Sequence, residues 1–111
     1  LLGVSVHSEN EAVEATRSGA DYLFFGPGYA TSSQPGAVAS GTEVVDRVLS
    51  RVDLTVVGIG GVTRQRAATV IASGALGVAA IRGIWDTPSP RKAVQVYLDA
   101  VERAIQEKRD E

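Results

Sequence analysis

The positions in this 111-residue chain that first suggest chemistry are glycines set between apolar residues. Gly58-Ile59-Gly60-Gly61, with Thr63 placed to cap a following helix, lets backbone N–H groups approach an anion at the positive end of that helix. Ile81-Arg82-Gly83-Ile84 offers a second glycine beside a guanidinium, which suits a phosphate held bidentately. Gly60, Gly61, Arg82 and Gly83 are therefore candidate phosphate-binding residues. The competing readings are a tight strand-to-helix turn that needs small residues for packing, and an arginine solvated at a rim. A lone Gly-x-Gly-Gly would be weak evidence, and two adjacent loops with the same feature favour the phosphate.

His7 is the only side chain whose ordinary titration range lies near neutral pH, and it stands between an apolar run and a helix cap, where a general acid or base would sit. A structural histidine satisfied by its neighbours is the alternative. The segment from Gly26 to Gly41 is long for a strand-to-helix connection, and its Thr31, Ser32 and Ser33 hydroxyls suit an oxyanion; a polar loop without a ligand is the other reading. Asp21 follows a helix stop at the opposite end of a strand, where a stabilising role is expected. Trp85 is read as packing.

Composition narrows the partners. Eleven basic against thirteen acidic residues give a net charge of −2, so neither nucleic acid nor an anionic membrane surface is indicated. Zero Cys excludes a disulfide framework and thiolate metal sites, and one His cannot complete a zinc shell. A reducing, cytoplasmic setting is the default. No apolar run reaches the roughly 20 residues that span a bilayer. The chain opens Leu1-Leu2-Gly3-Val4, inside an apolar segment without Met, and is expected to be a piece of a longer protein.

The elements that must position these residues alternate strictly. Apolar runs at Leu2 to Val6, Tyr22 to Phe25, Thr55 to Ile59 and Gly77 to Ile81 read as strands buried on both faces, each followed by a helical pattern. Ser8-Glu9-Asn10-Glu11 is a capping box, Thr42 and Thr63 are candidate caps for Glu43 to Arg51 and Arg64 to Ser73, and Ser89-Pro90 starts the last helix. That helix carries Val94, Tyr97, Leu98, Val101, Ala104 and Ile105 at helical spacing. Ser18-Gly19-Ala20 and Ser73-Gly74-Ala75 are matching helix stops.

Four βα units admit an open doubly wound sheet or a piece of a (β/α)8 barrel, which needs about 250 residues. On the second reading, 111 residues are close to half of a (β/α)8 TIM barrel, residues 1–111 forming one βα-repeat domain. Such a half exposes two parallel edges and an apolar inner face, so it needs its other half or a copy of itself. The last 51 residues hold eight basic and six acidic groups against three and seven in the first 60, which agrees with phosphate binding in the later part.

At these residues the sequence resembles the thiamine phosphate synthase and TenI superfamily. The matching segments are Gly3-Val4-Ser5-Val6-His7-Ser8, Gly19-Ala20-Asp21-Tyr22, Phe25-Gly26-Pro27, Thr31 with Ser33, Val57-Gly58-Ile59-Gly60-Gly61-Val62-Thr63, and Gly74-Ala75-Leu76-Gly77-Val78-Ala79. The resemblance implies the C-terminal half of the family's barrel, strands five to eight. For the synthase branch it implies joining of hydroxymethylpyrimidine diphosphate to thiazole phosphate, with Mg²⁺ and hydrogen-bond donors stabilising the departing diphosphate. Ser5 then lies near the substrates, Thr31 and Ser33 match the diphosphate-binding hydroxyls, and Gly60 with the residues around Arg82 matches the thiazole phosphate site. Gln34 stands where the family has Lys, and Arg82 where it has Ser. The Mg²⁺ and pyrimidine diphosphate ligands fall in the other half, so this chain alone is not expected to assemble that site. The TenI branch, a thiazole tautomerase, implies His7 as the acid/base group and needs no metal. A non-catalytic phosphate-binding half-barrel that assembles by pairing is the third expectation.

Overall fold

The structure, a computed structural model, describes residues 1–26 and 41–110. The elements run β1 (Gly3–Val6), α1 (Glu9–Arg17), β2 (Tyr22–Phe25), α2 (Gly41–Arg51), β3 (Thr55–Ile59), α3 (Arg64–Ala72), β4 (Gly77–Ala79), α4 (Arg82–Trp85) and α5 (Pro90–Arg109). The strands form one parallel sheet in the order β1-β2-β3-β4. These are four consecutive βα units, half the number in a (β/α)8 barrel. Because all strands point the same way, the ends at Val6, Phe25, Ile59 and Ala79 share one rim.

Burial follows the two-residue alternation of the strands. Val6, Leu23, Phe25 and Val56 lie under α1 and α2, buried with Ala12, Val45 and Val48. A second cluster of Val62, Ala67, Val70, Ala75 and Tyr97 ties α3 and α5 to the β4 end of the same face. On the opposite face Tyr22, Phe24, Val57 and Ile59 are only half-buried, and the Tyr22 and Phe24 rings meet edge to face at 5.4 Å.

Three of the four caps form as read. Ser8 accepts from the Glu11 N–H at 3.1 Å, Thr63 from Arg66 at 3.3 Å and Ser89 from Lys92 at 3.4 Å. Gly19 and Gly74 both take positive φ, +104° and +113°, turning the chain from helix into strand. Asp21 has the stabilising role expected of it: its carboxylate accepts from the Leu2 N–H at 2.6 Å while its own N–H donates to the Leu2 carbonyl at 2.8 Å.

Several boundaries differ from the sequence reading. β1 starts at Gly3 rather than Leu2, whose backbone is taken by Asp21. α2 starts at Gly41, so Thr42 lies within its first turn rather than before it. Ser73 is the C-cap of α3, not its last helical residue. β4 ends at Ala79 instead of Ile81, because the ladder with β3 ends at the Ile59–Ala79 pair and the chain then winds into α4, with Ile81 as its N-cap. That single turn sends Ile84 into the second cluster and leaves Trp85 70% exposed, so Trp85 is not the packing residue expected.

Candidate functional site

The rim beyond β3 and β4 carries a cleft of about 300 Å³. Gly60, Gly61, Arg82 and Gly83 all line it, together with Thr63 and Tyr97. Gly60 and Gly61 hold φ of +88° and +66°, a backbone conformation open to glycine and strained for side chains. A Cβ added at Gly60 would meet no atom of the described residues within 4 Å. The nine-residue helix α3 begins just beyond, at Arg64. α4 forms the other wall, in the place of the short extra helix that borders phosphate sites in (β/α)8 barrels.

Two side chains outside the expected set hold this backbone. Arg66 Nη1 donates to the Gly61 carbonyl at 2.9 Å, and the Tyr97 hydroxyl donates to the Val62 carbonyl at 2.8 Å. Tyr97 is buried, and desolvation raises its pKa above the usual 10.0, keeping the phenol a neutral donor. In the sequence it reads only as one more position on the apolar stripe of α5. The signal available there was chemical: a tyrosine in a buried stripe needs a partner for its hydroxyl.

Ser5 in β1 and His7 just after it share the same rim, but β1 is two strands from β3, or roughly 10 Å at the usual strand spacing. They do not line the cleft. Both are exposed, and His7 Nδ1 lies 3.6 Å from the Glu11 carboxylate one helical turn on. Thr31, Ser33 and Gln34 lie outside the described residues. Among the described residues no group of three or more His, Asp or Glu side chains is placed to hold a metal ion. No described helix is long and apolar enough to cross a membrane.

The family model for thiamine monophosphate synthase matches residues 1–84, which takes in β1 through both glycine loops of the cleft. The chain belongs to this family. Among curated relatives, the thiamine-phosphate synthase of Geobacillus kaustophilus is 42% identical over 106 residues, covering 94% of this chain and 48% of that protein. The thiamine biosynthesis bifunctional protein ThiM/ThiE of Symbiobacterium thermophilum is 46% identical over 105 residues, 94% of this chain and 22% of its own length. In structure, thiamine phosphate pyrophosphorylase from Pyrococcus furiosus superposes with a TM-score of 0.82 at 34% identity, over 92% of this chain and 48% of that one. The chain therefore spans about half the length, or less, of the thiamine-phosphate synthases it matches. A structure titled native KDPGal, at 22% identity and a TM-score of 0.73, shares the fold.

Proposed function

We propose that this chain is the phosphate-gripping half of a thiamine phosphate synthase, residues 1–111 supplying strands five to eight of its barrel. The whole protein then joins hydroxymethylpyrimidine diphosphate to thiazole phosphate in the cytoplasm, releasing diphosphate. The observation that carries the reading is the cleft in which Gly60 and Gly61, both at positive φ, face Arg82 and Gly83. Glycine backbone there admits a phosphate to N–H distance, and the guanidinium adds a charge-assisted contact. Anchoring the thiazole by its phosphate fixes where its ring nitrogen stands when the pyrimidine cation is captured.

Ser5, at the rim of β1, is proposed as a substrate contact, and Thr31, Ser33 and Gln34 as contacts to the diphosphate. Mg²⁺ remains an implication of the family. The other half of the barrel, or a second copy of this chain, is the proposed partner, since the half-buried face of Tyr22, Phe24, Val57 and Ile59 lacks a covering element among the described residues.

Gly60→Val tests the cradle. A β-branched residue at a φ of +88° is strained by about 1–2 kcal/mol and projects into the space meant for phosphate. Calorimetric titration with a small heterocyclic phosphomonoester is expected to show at least tenfold weaker binding; unchanged affinity discards the site.

The thiazole tautomerase reading is favoured by one observation, the Glu11 carboxylate 3.6 Å from His7 Nδ1, close enough to orient the imidazole ring. In the full-length protein, His7→Gln is expected to abolish tautomerisation while reducing synthase turnover only modestly. Assaying both reactions on that variant separates the branches.

A further inference from the structure

We propose that Tyr97, assisted by Arg66, is a positioning residue that fixes the direction of the cradle's N–H groups. This rests on the phosphate reading of the cleft and adds to it a residue from α5, outside both loops. The Tyr97 hydroxyl donates to the Val62 carbonyl, and a Cβ added at Gly83 would collide with that same oxygen. One buried atom thus touches both walls of the cleft. Arg66 holds the preceding carbonyl, that of Gly61.

In a trans peptide the N–H points opposite to the carbonyl. Gripping the Gly61 and Val62 carbonyls therefore fixes the N–H groups of Val62 and Thr63 in the opposite direction. Among the described residues no backbone carbonyl accepts from the N–H of Gly60, Gly61, Val62 or Thr63. Donors held in place before the ligand arrives bind it without a cost of ordering.

The test is titration of inorganic phosphate into the full chain, followed through the amide resonances of Gly60, Gly61, Val62 and Thr63. The wild type is expected to show shifts centred on these amides. Tyr97→Phe keeps the ring and removes the donor, and is expected to weaken phosphate about five- to tenfold. Its shifts should shrink more at Val62 and Thr63 than at Gly60, a pattern that a general loss of stability does not produce. Equal affinity with an unaltered pattern overturns the positioning role and leaves the phosphate site standing. Absence of phosphate-induced shifts in the wild type overturns the phosphate site and the positioning role with it. Should Tyr97→Phe fail to fold, Arg66→Gln at an exposed position reads the same question: a diminished Val62 shift supports the proposal and an unchanged one overturns it.

Discussion

Tyr97 links stability to alkaline pH. Burial raises its pKa, so the folded chain keeps the phenol proton at a pH where the unfolded chain has lost it. A folded-state pKa above the unfolded value contributes stability that is complete below the unfolded value and lost as pH climbs through the folded one. Stability from this group is therefore flat below about pH 9 and declines above the usual 10.0. Denaturant melts across that range should show the decline in the wild type and a shallower one in Tyr97→Phe; parallel curves would refute the assignment. At this scale the sequence was half legible. Gly60 and Gly61 announce themselves because only glycine is at ease at their φ angles, and Arg82 because it stands next to a third glycine. Tyr97 does not, because its partner is a carbonyl 35 residues away that any chain would carry.

At the scale of elements, the caps matter most where a helix starts beside the cleft. Thr63 accepts from the Arg66 N–H and lines the cavity, so Thr63→Ala should cost about 1 kcal/mol of stability. It should also weaken phosphate, because the first turn of α3 loses its anchor. Thermal melts and calorimetry on that variant check both effects. By comparison, Glu9 reaches Arg47 at 2.9 Å and Arg51 at 3.1 Å, joining α1 to α2, but these arginines are largely exposed and such pairs contribute little. The helix starts were legible because Ser8, Thr63 and Ser89 each stand before a helical pattern, and capping is local chemistry. α4 was not legible. Ile81 reads as strand by its branched side chain, and only the end of the ladder with β3 releases it.

For the whole molecule, strict alternation of strand and helix was enough to read the parallel order, while the choice of half a barrel over an open sheet came from the resemblance to the synthase family. What local pattern does not show is how much apolar surface that leaves bare. Leu98 is 47% exposed and Val94 40%, one turn apart on α5, and Ile81 and Trp85 add 67% and 70% beyond β4. Together with the aromatic face of the sheet, this surface calls for a covering partner. If a second copy supplies it, the melting temperature should rise with protein concentration, by mass action. Sedimentation should show dimer over the same range, and a concentration-independent melt with a monomeric boundary would leave the other barrel half as the proposed partner.

The two helix-ending glycines have a practical corollary. Gly19 turns at the end of the sheet away from the cleft, and an added Cβ there meets nothing within 4 Å, whereas at Gly74 it meets Leu49 Cδ1 at 2.6 Å. Corners spelled alike are thus not interchangeable as attachment points. A dye or tethering peptide spliced in beside Gly19 would ride on the chain without obstructing ligand entry, and the same graft beside Gly74 would wedge against α2.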